Sequence, residues 1–134
     1  MFLGDLQLTS LYGLFGIDEI PVWIGKPLTV FTLLVIMNGF NLIDGINWLS
    51  GGVGLLVCST FGLWFWVNNL NSLAIISFSL SGALIGFLWY NKTPAQIFMG
   101  DTGSLILGMI NGFLCIHFIE NNATAPNYAF NSIA

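Results

Sequence analysis

Charge is what this sequence has least of. Charged side chains make up 6% of its 134 residues, where a water-soluble domain carries about 25%. That shortage excludes a surface that water could cover. Two basic residues, Lys26 and Lys92, stand against six acidic ones for a net charge of −4. Nucleic-acid binding needs a basic stripe, so no nucleic-acid partner is expected. Cysteine is nearly absent, and Cys58 and Cys115 each fall inside an apolar stretch. They read as small apolar residues rather than a disulfide framework. The start of the chain has no basic region, and residues 1–10 mix apolar side chains with Asp5 and Gln7. A removable leader is therefore not expected, and insertion would rest on the apolar stretches themselves. There is no internal repeat and no low-complexity tract.

What fills the space is hydrocarbon: 56% of the residues are hydrophobic. Between Lys26 and Asp44 lie 17 uncharged residues, between Asp44 and Lys92 there are 47, and between Asp101 and Glu120 there are 18. About 20 apolar residues suffice to cross a hydrocarbon core of roughly 30 Å. The longest gap thus holds two crossings, divided by the polar cluster Asn68, Asn69, Asn71 and Ser72. The expected fold is all-α, a polytopic membrane helix bundle with about four transmembrane helices at 27–40, 49–67, 73–90 and 103–119.

Residues 1–26 read as a surface segment on the extracytoplasmic side. Leu6-Gln7-Leu8-Thr9 alternates apolar and polar residues, the pattern of a short strand. Gly13, Gly16 and Pro21 break the segment, and residues 121–134 form a polar tail. Trp64, Phe65, Trp66, Trp89 and Tyr90 collect at span ends, where amphipathic rings form interfacial belts. Gly82 with Gly86, and Gly108 with Gly112, are small-residue pairs that permit close helix packing. His117, the one histidine, falls near the far end of the last span and is expected to pack there.

The order of spans brings two polar loops to one face of the membrane. Loops 41–50 and 91–102 are separated by two crossings, so Asn41, Asp44, Asn47, Asn91, Lys92 and Asp101 can converge. The positive-inside rule does not orient the bundle, because Lys92 on that face is cancelled by Lys26 on the other. In the first loop, Asp44-Gly45 is an ordinary turn signal as well as a candidate site. The second loop runs Phe98-Met99-Gly100-Asp101-Thr102-Gly103-Ser104. Its glycines let the backbone bend, and Thr102 or Ser104 can cap the helix that follows. A helix N-terminus behind a glycine turn attracts anions. Asp101 would repel a phosphate there unless a divalent cation sits between them, the usual way Mg²⁺ is held. The other reading of Asp101 is a carboxylate that simply favours the positive end of a helix.

Together the runs Asn38-Gly39-Phe40-Asn41-Leu42-Ile43-Asp44-Gly45 and Asn91…Ile97-Phe98-Met99-Gly100-Asp101-Thr102-Gly103-Ser104-Leu105 resemble the polyprenyl-phosphate sugar-1-phosphate transferases. That family includes undecaprenyl-phosphate N-acetylglucosamine-1-phosphate transferases and phospho-N-acetylmuramoyl-pentapeptide transferases. Pro27-Leu28-Thr29-Val30-Phe31 leading into the first run is closer to the former. The resemblance implies a membrane enzyme of the bacterial inner membrane, with both loops cytoplasmic. Its implied reaction moves an N-acetylhexosamine-1-phosphate from a UDP-sugar to undecaprenyl phosphate, with Mg²⁺ and release of UMP, in cell-envelope polysaccharide synthesis. Carried over by motif, Asp101 resembles the magnesium ligand and, with Asp44, the catalytic carboxylates. Phe98 resembles the aromatic that stacks on uracil. Asn91 resembles an asparagine of the nucleotide pocket, and Asn41 and Asp44 resemble polar residues lining the sugar-nucleotide site.

Two departures bear on activity. The family's first run continues Asp-Gly-x-Asp-Gly, whereas this chain has Asp44-Gly45-Ile46-Asn47-Trp48. The family's N-terminal aspartate pair and C-terminal histidine-rich loop have no counterpart here. The chain is therefore expected to be a central fragment, inactive alone, whose partners are the missing halves of such an enzyme or further copies of itself. A rival from another class is a non-catalytic membrane subunit that packs helices or binds a nucleotide. An ion carrier is disfavoured because no charged residue lies mid-span.

Overall fold

In the hydrocarbon core no water is available to the backbone, so each crossing segment must satisfy its own amide groups, and a helix does so. The computed structural model describes residues 6–10 and 19–122, and shows α1 (Val22–Ile43), α2 (Leu49–Val67), α3 (Asn71–Asn91) and α4 (Gly100–Asn122). All four are long and apolar enough to span a membrane. The chain is an all-α, multi-pass membrane protein.

Three helices are longer than the expected spans, α3 by a residue or two at each end and α1 and α4 by more. α1 begins at Val22 rather than Pro27, because the Pro21 carbonyl accepts the Ile24 and Gly25 amides at 2.8 and 2.9 Å and starts the helix early. Pro27 then lies inside α1, past its first turn, and removes the hydrogen bond to the Trp23 carbonyl. α4 begins at Gly100, whose φ of 67° is a left-handed conformation that glycine adopts without a Cβ clash. Neither Thr102 nor Ser104 is therefore an N-cap. Ser104 lies within the helix and its hydroxyl donates to the Asp101 carbonyl at 3.1 Å.

The helices pack in two pairs, α1 with α4 and α2 with α3, and α2 joins the pairs by touching α4. Glycine decides how close each pair comes. A Cβ on Gly108 would stand 2.7 Å from the Met37 Cα, and one on Gly112 would stand 2.8 Å from a Leu33 methyl. Gly62 likewise meets Phe78 and Ser77 across the α2–α3 seam. The other pair, Gly82 and Gly86, faces open space. The small-residue signal thus marks internal packing on α4 and an uncovered face on α3.

The interior has two apolar centres. Phe40, Leu84 and Leu107 pack beneath the turn between α1 and α2. Cys58, Trp64, Phe65, Leu73, Ala74 and Leu114 fill the opposite end. Here the belt expectation divides. Trp66 points outward, but Trp64 and Phe65 are buried, with the Trp64 ring edge-on to Phe118 at 4.7 Å. Successive residues on a helix turn by about 100°, so three consecutive aromatics cannot share one face, and Trp66 turns outward while Trp64 and Phe65 stay inside. Trp89 and Tyr90 are exposed. His117 packs edge-on to Phe113 at 4.4 Å, away from both loops.

The alternating segment near the start makes no strand among the described residues, only a single antiparallel bridge between Ser10 and Glu19. Its period of two has another cause. Leu8 is buried and its amide donates to the Thr29 hydroxyl at 2.8 Å. The next residue points the other way, and the Thr9 amide and hydroxyl both donate to the Glu120 carboxylate, at 2.9 and 2.6 Å. Gly13, Gly16 and the tail beyond Asn122 lie outside the described residues.

Two predictions follow from this packing. Gly108→Val should destabilise the bundle by about 1–3 kcal/mol through overpacking against α1. Gly82→Val should stay within about 0.5 kcal/mol, as for an unencumbered surface site. Thermal unfolding in detergent measures both. Cysteines placed at Ile46 and Thr93, both exposed, should react with an impermeant maleimide from one side of the membrane and one at Ser72 from the other; labelling of Ile46→Cys and Thr93→Cys from opposite sides would refute this topology.

Candidate functional site

The turn after α1 is held by its own polar side chains. Asn41 lies in the last turn of α1, and its carbonyl accepts the Asp44 amide at 3.3 Å. Half-buried Asp44 then accepts a hydrogen bond from the Ser50 hydroxyl at 2.7 Å. Ser50 is buried in the first turn of α2, so the Asp44 carboxylate closes the turn and sits at the positive end of that helix.

Across the bundle, α4 starts at the same level. The Asn41 side-chain amide donates to the Asp101 carboxylate at 3.2 Å and to the Ser104 hydroxyl at 3.1 Å. An NH₂ group has two hydrogens, so one side chain serves both acceptors. Asp101 is exposed in the first turn of α4, which leaves carboxylate oxygen free for a ligand. Asn41 thus connects both acids: its backbone binds Asp44 and its side chain binds Asp101. Among the described residues no group of three or more histidines, cysteines or acids comes together. A divalent cation at Asp101 would complete its shell with water or with a ligand's own oxygens, as Mg²⁺ does.

Asn91 and Phe98 stand on a separate arm. Asn91 is buried at the end of α3 and both ends of its carboxamide are engaged. Its oxygen accepts the Trp48 amide at 2.7 Å, and its nitrogen donates to the Ile97 carbonyl at 2.9 Å. The Gln96 amide, bonded to the Tyr90 carbonyl at 2.9 Å, closes the same loop. Phe98 follows directly and is 75% exposed, so its ring has a free face. Lys92 turns from the acids to lie 4.5 Å over the Trp89 ring.

Trp48, noted in the sequence only as a departure, proves structural. Its φ of 73° is left-handed, which costs a residue with a Cβ about 1–2 kcal/mol. The indole nitrogen donates to the Leu88 carbonyl at 3.0 Å, and with the Asn91 contact this makes two hydrogen bonds. At about 0.5–1.5 kcal/mol each, they offset the strain. Ser50 was also missed; an aspartate and a serine on either side of a turn was the available signal.

Asn91→Leu should leave the Trp48 amide and the Ile97 carbonyl unpaired. Both hydrogen bonds are part-buried, so the expected loss is about 1–3 kcal/mol in all, measured as a lowered unfolding midpoint in detergent. An unchanged midpoint would show that the carboxamide does not hold the loop.

Comparison with known proteins bears on the same two loops. The model of glycosyl transferase family 4 matches residues 1–119. A phospho-N-acetylmuramoyl-pentapeptide-transferase of Synechococcus elongatus is 48% identical over 82 residues, covering 61% of this chain and 22% of the relative. Proteins of the same name from Halalkalibacterium halodurans and Enterococcus faecalis are 42% and 43% identical over 86 and 96 residues. They are covered to 26% and 30% of their length, against 64% and 71% of this chain. The chain thus spans about a quarter of the length of these curated relatives. All three bear the name of the pentapeptide branch rather than of the N-acetylglucosamine branch expected from the stretch from Pro27 to Phe31. Two polar loops joined through Asn41 and a family match across nearly all the described residues lead to one assignment: the chain belongs to glycosyl transferase family 4, the polyprenyl-phosphate sugar-1-phosphate transferases.

Proposed function

We propose that these residues form the central part of a membrane transferase that moves an N-acetylhexosamine-1-phosphate from a UDP-sugar to undecaprenyl phosphate, releasing UMP. The observation that carries this reading is the Asp101 carboxylate, exposed in the first turn of α4 and held by Asn41 of α1. A carboxylate beside a helix N-terminus suits a substrate diphosphate once a cation lies between them. The donor set fits Mg²⁺, because it offers carboxylate oxygen and leaves room for water and phosphate. Bound there, Mg²⁺ would neutralise charge on the diphosphate.

The chain's own residues would do the positioning, which is most of what a protein contributes to phosphoryl transfer. Asn41 fixes the rotamer of Asp101. Asp44, locked by Ser50, presents a second carboxylate at the same end of the bundle. Phe98 offers a ring face to a flat base, and Asn91 acts by holding the loop that carries it. The remainder of a family member would supply the acceptor side, so these residues alone are expected to be inactive. The bilayer would be the bacterial cytoplasmic membrane, with the turn at 44–48 and the loop at 92–99 on the cytoplasmic face. A second reading, a non-catalytic membrane subunit, is favoured by Asn47 and Trp48 standing where the family pattern has Asp-Gly.

In a family enzyme carrying this segment, Asp101→Asn should reduce Mg²⁺-dependent UMP release to background. His117→Ala, at the far end of α4, should leave release within about twofold, as for a residue that does not touch the reaction. Near-normal release by Asp101→Asn across a magnesium titration would remove Asp101 as the ligand. UMP release by the 134-residue chain alone, lost in Asp101→Asn, would show that the fragment suffices.

A further inference from the structure

The slot before α2 is where the family pattern carries glycine, the residue for which a positive φ has no steric cost. In this chain the position has φ 73° and carries the side chain of Trp48. The indole does something glycine could not. Its nitrogen donates to the Leu88 carbonyl, in the last turn of α3. Three residues on, the Trp48 amide is received by Asn91, which passes the contact to the Ile97 carbonyl, next to Phe98.

We propose that Trp48 is a positioning residue: it pins the α1–α2 turn to the end of α3 and, through Asn91, sets where the Phe98 loop stands relative to Asp44 and Asp101. Strain and donor are two halves of one change. Glycine would relax the backbone but give up the indole donor. Phenylalanine would keep the strain and much of the bulk, again without the donor. The benzothiophene analogue of tryptophan, with sulfur in place of the ring N–H, removes the donor and almost nothing else.

Amide exchange of the full chain in lipid nanodiscs tests this without any reference to turnover. In Trp48→Phe, Trp48→Gly and the benzothiophene analogue, residues 92–99, which include the bonded Gln96 amide, should exchange about two- to tenfold faster, the factor expected for one neutral hydrogen bond. α1 and α4 should exchange as in the parent. Parent-like exchange of 92–99 in the analogue overturns the proposal, because the analogue folds with the same shape and lacks only the donor. Equal acceleration in all four helices also overturns it, since Trp48 would then merely support the bundle.

The consequence for substrate rests on the transferase reading. In a family enzyme carrying this segment, Trp48→Phe should raise the KM for the UDP-sugar by about the same two- to tenfold and leave kcat within about twofold. A fall in kcat at unchanged KM overturns the positioning role. If the parent enzyme releases no UMP, the transferase reading fails, while the exchange experiment still decides the role of Trp48.

Discussion

The contact between α1 and α4 is the constraint from which the site descends. The two helices run antiparallel in a register written by glycine: Leu33 against Gly112, Met37 against Gly108, then Asn41 against Ser104 and Asp101. Each step is one turn of α1. Within a bilayer there is no hydrophobic gain in bringing two helices together, so close backbone approach and hydrogen bonds have to do it. The glycines supply the approach and Asn41 supplies the bond. Sliding α1 by one turn, about 5.4 Å, would carry the asparagine out of reach of the carboxylate.

Membrane physics explains which parts of this were legible. Long uncharged stretches can only be helices in hydrocarbon, so the number of spans and the meeting of loops 41–50 and 91–102 could be read from the positions of eight charges. Helix ends were less legible, since Pro21 and Gly100 begin α1 and α4 earlier than hydropathy alone indicates. The aromatic cluster Trp64-Phe65-Trp66 was misread as a unit, because a belt is a property of composition whereas burial depends on the helical angle of each residue. Alternation in Leu6-Gln7-Leu8-Thr9 suggested pairing with a strand, but the same period arises when one residue meets α1 and the next meets Glu120.

In the candidate site the acids were visible and their supports were not. Asp44 and Asp101 stand out in a chain with so little charge. The pairing of the Trp48 amide with Asn91 is a long-range fact, fixed only when α2 and α3 close on one another, whereas the Ser50 bond to Asp44 lies within one turn. A buried asparagine with both ends engaged is a costly residue to replace, and it looks in sequence like any other polar residue at a span end. The tryptophan is the clearest case. Its side chain is a departure from the pattern, and its left-handed backbone is of the kind that glycine adopts without strain.

The α1–α4 pair is fastened at both ends. At the loop end Asn41 holds Asp101, and at the far end Thr9, whose neighbour Leu8 is bonded to Thr29 of α1, grips Glu120 through two hydrogen bonds to one carboxylate. A pair tied at one end can splay or slide; tied at two, it behaves as a strut. Whatever flexibility the bundle has must then reside in how the α2–α3 pair leans on that strut. At the loop end the two pairs are joined by the short turn at 44–48, where Asp101 belongs to the strut while Asp44, bonded to Ser50, belongs with α2.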